Sequence, residues 1–240
     1  MRNILAANPP PTALELDRLW LGGSRTQELA ESLAAGLFPG LQRLSLSLNS
    51  MPDEGAIALA RALRSGQFSG LQHLDLSTNE IQAEGANELA ITMASGHVSS
   101  LQHLSFNGNN IGHVGVQALA GVLAEGLCPN LRHLGLSSTN MGDNGATALS
   151  KALASGRCPA LQGLILRSNN ISDIGAQALA IALVSRHCTG LLDLDLDFNN
   201  ITEEGAKALR GALIEGQCEM VALSLSYNNA WTSMFLRILR

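Results

Sequence analysis

Leucine recurs along this chain at a fixed step. Leu41, Leu71, Leu101, Leu131, Leu161 and Leu191 stand 30 residues apart. Each opens the same phrase, written Leu71-Gln-His-Leu74-Asp-Leu76-Ser-Thr-Asn79 in one copy and Leu161-Gln-Gly-Leu164-Ile-Leu166-Arg-Ser-Asn169 in another. A weaker copy is read at Leu16, Leu19 and Leu21, and a last one at Met220, Leu223 and Leu225. The leucines inside the phrase alternate, which is the period of a half-buried strand. A large apolar residue follows the Asn two positions on (Met51, Ile81, Ile111, Met141, Ile171, Ile201), then a Gly four further along. From there the spacing becomes helical. Leu59 and Leu63, Leu119 and Leu123, and Leu179 and Leu183 are i, i+4 pairs on one face, with alanines filling the remaining inward positions.

The ends of these segments carry the matching punctuation. Asp53, Ser172 and Thr202 stand where helix N-caps belong, and Gly66, Gly96, Gly126, Gly156 and Gly216 where a left-handed residue ends a helix. Arg186 fills that Gly position in one unit, which predicts a different exit or a modest strain. A strict period of this kind means stacked like units, so the chain reads as an α/β solenoid of about eight repeats. Strands pack about 4.8 Å apart and helices about 8–10 Å apart, so the stack must curve, strands on the concave wall and helices on the convex one.

Asparagine at the ninth position both donates and accepts, so it can satisfy backbone groups in the bend after each strand. The series runs Asn49, Asn79, Asn109, Thr139, Asn169, Asn199, Asn228, with Ser24 read into it for the first unit. These are structural positions.

The phrase LxxLxLxxNxIxxxGxxxLxxxL resembles the ribonuclease-inhibitor-like class of leucine-rich repeats, which also occurs in NOD-like receptors, RanGAP-type proteins and bacterial effectors. The resemblance covers roughly residues 14–229. It implies a horseshoe that binds a partner protein on its concave face. Two departures are read: units of 30 residues where the family's more often run about 28 or 29, and a first unit five residues short between Ser24 and Leu41. The expected organisation is one domain, with a leader at 1–13, repeats over 14–229 and a C-terminal capping helix at 230–240.

Composition narrows the function classes. A net charge of −5 without a basic stripe speaks against nucleic acid, and no apolar run suits a membrane span or a secretory signal. Cys128, Cys158, Cys188 and Cys218 repeat at the same step, in a position held earlier by Phe38, Phe68 and Val98. A position that accepts Phe, Val or Cys is a core position, so reduced thiols and a cytoplasmic setting are expected. Delivery by a bacterium into a host cytosol is one such setting.

Catalytic motifs are not found: there is no nucleophile elbow, phosphate loop, HExxH or CxxC. The expectation is a non-enzymatic monomer with no cofactor and no metal. Function is therefore sought at the outward strand positions. The third position reads Arg18, Arg43, His73, His103, His133, Gly163, Asp193, Ala222, and the fifth reads Trp20, Ser45, Asp75, Ser105, Gly135, Ile165, Asp195, Ser224. The histidines form a row one strand apart. Zinc would need all three imidazoles to converge, and duplication of one unit explains the row more simply.

Asp193, Asp195 and Asp197 alternate along one strand and are read as pointing out together, with Arg167 beside them and Phe198 and Tyr227 following at the eighth position. Aromatics beside charge have the composition of an interface hot spot, and a solvated face with two exposed rings is the plainer reading. Trp20, with Arg18 and Arg43, makes a lesser patch. The partner-binding candidates are thus Asp193, Asp195, Asp197, Phe198, Tyr227, Arg167, His103, His133 and Trp20. The alternatives are a RanGAP-like activator of a small GTPase, for which Arg25 and Arg167 are the nearest candidate arginines, and a ligand-sensing domain of a larger receptor or ligase.

Overall fold

A computed structural model describes residues 11–188, 190–218 and 220–229. Strand and helix alternate from β1 (Ala13–Glu15) and α1 (Gly22–Ala34), through β2 (Arg43–Ser45), α2 (Asp53–Leu63), β3 (His73–Asp75) and α3 (Ala83–Ala94). The pattern continues with β4 (His103–Ser105), α4 (Gly112–Ala124), β5 (His133–Gly135), α5 (Gly142–Ala154), β6 (Gly163–Ile165) and α6 (Asp173–Val184). It closes with β7 (Asp193–Asp195), α7 (Glu203–Glu215) and β8 (Ala222–Ser224). All eight strands form one parallel sheet in chain order, and each helix packs against the next.

Parallel strands need a crossover, and the helix supplies it while covering one face of the sheet. The leucines of the phrase, the apolar residue after Asn and the helical leucines form one continuous core. Phe38, Phe68, Val98 and all four cysteines are buried in it. Burial pushes the Cys128 and Cys188 thiols up to about 12.

The register corrects both ends of the sequence reading. Leu14 pairs with Leu44, so Leu14 and Leu16 occupy the positions of Leu44 and Leu46. The first unit is a full 30 residues long, and Leu19, not Ser24, holds the ninth position. Leu19 is exposed, and its backbone N–H donates to Asn49 Oδ1 at 2.9 Å. At the other end Met220 is exposed while Val221 is buried, so Val221 opens the last phrase and one residue is missing before Leu223. Residues 230–240, read as a capping helix, lie outside the described residues.

Asparagine ties neighbouring units together. Asn79 Oδ1 accepts the N–H groups of Asn49 and Met51 in the preceding unit, both at 3.0 Å, and its Nδ2 donates to the carbonyls of Leu46 and Leu76. Asn169 and Asn199 repeat this arrangement. Thr139 donates to Leu136 O and to Asn169 Oδ1, both at 2.9 Å, but does not reach back to the preceding unit; there the Asn109 N–H turns to Phe106 O. A second, exposed row of asparagines runs one position later, through Asn110, Asn140 and Asn170.

Helix starts obey a rule that crosses unit boundaries. Asp53 is the first residue of its helix and not its cap; its Oδ1 accepts the N–H groups of Gln82 and Gly85 in the next unit. Asp143 serves Ser172 and Gly175 in the same way, and Asp173 serves Thr202 and Gly205. Ser172 and Thr202 are also true side-chain N-caps. Where the preceding unit offers Ala83 or His113 in place of the aspartate, the next helix starts on Gly112 or Gly142 with φ +61° and +56°, and that glycine's N–H bonds the carbonyl of Thr139 or Asn169. Only glycine takes that conformation at little cost.

At the helix exits Gly66, Gly96, Gly126 and Gly156 are left-handed. Arg186 adopts the same conformation (φ +62°), so it keeps the exit and bears the strain. Gly216 departs from the expectation: it stays helical at φ −75°, and Gln217 takes the left-handed turn.

Candidate functional site on the concave face

Because the strands pair residue for residue, like positions line up in rows across the sheet. His73, His103 and His133 are successive partners, and their rings stack with centroids 4.0 and 4.5 Å apart and planes within 6° and 12° of parallel. Parallel rings aim their nitrogen lone pairs side by side and not at one point. Among the described residues no group of His, Cys, Asp or Glu side chains is placed to hold a metal ion.

Gly163 follows His133 in the row, and a Cβ there would meet His133 Nδ1 at 2.5 Å. The last ring thus rests on a bare backbone, which any other residue would displace. Gly135, on the strand before, is also tight: a Cβ would meet Asn107 and Ser105 side-chain atoms at 2.9 Å.

The stack lines a shallow cavity of about 250 Å³ floored by β2 to β6, with Arg43, Asp75 and Ile165 on its walls. Burial, reinforced by the charges of Arg43 and His133, holds the His73 imidazole below its ordinary value. His103, in the middle, is lowered to about 4 by burial, by both neighbouring histidines, and by Arg43 and Arg132. Both rings are therefore neutral at pH 7. Asp75 and Arg132 were not singled out from the sequence, and Arg43 was read only into a patch with Trp20 and Arg18; the register sets Arg43 and Asp75 beside the rings.

Two strands on, the acidic strip splits. Asp193 is exposed, and burial raises its carboxyl despite the opposing charge of His133. Asp195 is partly covered and is also raised, chiefly by burial; its Oδ1 accepts the Asp197 N–H at 2.9 Å. Asp197 is buried, contrary to the expectation that all three point outward. It accepts Ser224 Oγ at 2.5 Å and the Ser226 N–H at 2.6 Å, and Arg167 Nη1 lies 3.6 Å from it. Asp17 makes the equivalent bonds to Ser45 and Ser47. The reason is local: an acceptor at the seventh position faces the seventh-position N–H of the next unit, and the Ser226 N–H has no other acceptor among the described residues. Asp197 is thus a structural link.

Arg167, Phe198 and Tyr227 are brought together. The guanidinium lies 4.2 Å over the Phe198 ring, and Phe198 stacks on Tyr227 with centroids 4.2 Å apart. Both aromatics remain exposed, by 40% and 73%. Both also sit in left-handed backbone, φ +55° and +56°, at a position that Gly108 occupies in another unit. That conformation belongs to the position in every unit: Arg18, Leu48, Thr78, Ser138 and Ser168 share it.

Trp20 does not join this surface. It lies in the turn after β1, at the opposite end of the sheet, 77% exposed and with φ +52°. Arg18 lies in the same turn, and Ala13 and Glu15 take the strand positions expected for these two residues. Arg25 is exposed on the first turn of α1. On the convex wall Ile181 is exposed in a groove between α6 and α7, and Ile214 is exposed on α7. Among the described residues no helix is long and apolar enough to cross a membrane.

Comparison with known proteins agrees with the repeat. The family model described as Leucine Rich repeat matches residues 41–60, 71–90, 97–120, 127–150, 157–180 and 187–209. No curated protein matches the chain. Among solved structures, similarity is found to the TLR13–ssRNA13 complex at 17% identity and TM-score 0.41, covering 91% of this chain and 32% of that one. The plant peptide hormone receptor RGFR1 in complex with RGF2 gives 19% and 0.34, covering 91% and 44%. An internalin, InlF, from Listeria monocytogenes gives 15% and 0.26, covering 92% and 82%. The chain spans less than half the length of the TLR13 and RGFR1 chains.

Proposed function

The chain belongs to the leucine-rich repeat family, and from that premise we propose that it is a non-enzymatic scaffold whose concave face binds a partner protein. One observation carries the reading: Phe198 and Tyr227 are stacked on each other and exposed, at a position where the units from Thr78 to Ser168 carry only Thr, Gly or Ser. Rigid aromatics flanked by Arg167 and Asp195 have the make-up of a binding hot spot. The row from Arg43 to His133 forms a second contact area on the same wall. We read the repeats as ribonuclease-inhibitor-like, because each of the strands β1 to β7 is answered by a full α-helix. A monomer acting without a cofactor inside a cell, including a host cell entered by a bacterial effector, is the setting this reading favours; buried thiols held in the reduced, protonated form suit it. For the RanGAP-like alternative nothing comparable speaks: Arg167 sits over the Phe198 ring and pairs with Asp197, which is not the posture of a mobile catalytic arginine.

The test compares two paired variants. Phe198→Ser with Tyr227→Ser installs the residue that Ser138 and Ser168 already supply at that position, while Ile181→Ser with Ile214→Ser alters the convex wall. In affinity capture from cell lysate, the first pair should lose the proteins that the wild type retains and the second should keep them. The opposite pattern would place the binding face on the helices.

A further inference from the structure

We propose that the imidazole row of His73, His103 and His133, with Arg43 and Arg132 at its flanks, is a receptor for the carboxylate side chains of an acidic segment in the partner. This rests on the reading that the concave face is the binding face. It adds the chemistry of what one half of that face accepts.

The geometry is that of a row of donors suited to an anion. The three rings stand in register one strand apart, edges toward the cavity, and touch the protein through their faces. Their ring nitrogens take no part in any hydrogen bond among the described residues. Each neutral imidazole still has one N–H to donate, and a protonated one has two. A carboxylate laid along the row would meet N–H donors about one strand spacing apart, with Arg43 at one end.

The charges that reach the row from the packed elements are mostly of one sign. Arg43 of β2, Arg132 just before β5 and the neighbouring histidines all disfavour a proton on His103. Asp75 of β3 lies on the wall with its Oδ1 held by the N–H and hydroxyl of Ser77. β6 contributes only Gly163 and Ile165. Asp193 and Asp195 of β7 are the nearest acids on the far side, and Asp193 feels His133. Those acids also decide between classes of anion. A polynucleotide carries a charge at every unit and would run into Asp193 and Asp195. A peptide can place carboxylates over the histidines and a neutral or basic residue over the acids.

Proton linkage follows. In the empty row a proton on His73 or His103 is opposed by the neighbouring charges, and a carboxylate offsets that opposition. Binding therefore takes up protons and tightens as pH falls, with a limit of about tenfold per pH unit for each proton taken up. The effect fades at high pH, where the rings stay neutral even when occupied.

The experiment follows the six histidines by NMR while a short glutamate-rich peptide is added at about pH 5.5 and about pH 7.5. His97, His113 and His187 lie off the row and serve as references. A glutamine-substituted peptide and a single-stranded RNA are the other arms. The expected result is binding of the glutamate peptide alone, tighter at the lower pH, with upward-shifted titration of His73 and His103 and unmoved references. His103→Gln should flatten the pH dependence, and Arg43→Gln should weaken binding at both pH values. Equal binding of the glutamine peptide, binding of RNA alone, no binding, or unshifted row titrations would each overturn the inference. If the peptide perturbs other concave residues while the row does not titrate differently, the concave-face reading stands and the histidine inference falls. If it perturbs only convex residues, both fall.

Discussion

Replacing Asn169 by alanine should cost far more than the size of the change suggests. Asn169 is fully buried, and its Oδ1 accepts the Thr139 N–H at 3.0 Å, the Thr139 hydroxyl at 2.9 Å and the Met141 N–H at 3.4 Å. Its Nδ2 donates to Leu136 O at 2.6 Å and to Leu166 O at 3.0 Å. The two carbonyls have other donors, in Thr139 Oγ1 and Asn199 Nδ2. The two backbone N–H groups do not, and a buried donor left without an acceptor costs about 1–3 kcal/mol. Asn169→Ala should therefore destabilise by about 4 kcal/mol. Thr139→Asn should act with the opposite sign, because it restores the missing link to the preceding unit. Two new hydrogen bonds at about 1 kcal/mol each, less the ordering of a longer side chain, leave a gain of about 1 kcal/mol. Urea unfolding followed by circular dichroism would read both as shifts in midpoint at unchanged slope. A cost below about 1 kcal/mol for Asn169→Ala, or a loss in Thr139→Asn, would refute the argument that these bonds join the units.

Three further outcomes follow from the same geometry. Gly175→Ala should destabilise by about 2 kcal/mol in thermal melts although alanine is the better helix former, because its Cβ would stand 2.6 Å from Asp143 Oδ1 and from Ile171 Cγ2. Arg186→Gly should stabilise by about 0.5–1 kcal/mol by relieving the left-handed strain, and a lower melting temperature would contradict it. Asp197→Ala should cost about 2 kcal/mol by stranding the Ser226 N–H and Arg167, whereas Asp193→Ala should leave chemical denaturation unchanged; equal effects would mean the acids share one environment.

The repeat itself was fully legible, because each Leu, Asn and Gly position has one physical job and the period repeats it. The errors arose where the phrase was matched by spacing alone. Leu16, Leu19 and Leu21 satisfy LxxLxL, but a step of 30 from Leu44 and Leu46 leads to Leu14 and Leu16, and parallel pairing enforces that step. Trp20 and Arg18 lost their places on the strand for the same reason. Asp197 looked outward because alternation puts it there, yet the N–H of Ser226 in the next unit draws it in. Links of this kind, like Asp143 to Ser172 and Gly175, join residues about a unit apart and leave no mark in the spacing of either unit alone. The stacking of His73, His103 and His133 and of Phe198 on Tyr227 was readable once register was known; the reach of Arg43 and Arg132 to the rings was not.

The most direct test of the concave face as the binding wall is a hydroxyl-radical footprint of the chain with and without a captured partner protein. Protection should fall on Phe198, Tyr227 and the histidine row while Ile181 and Ile214 react as before. Protection of the two isoleucines with Phe198 and Tyr227 left reactive would contradict the account.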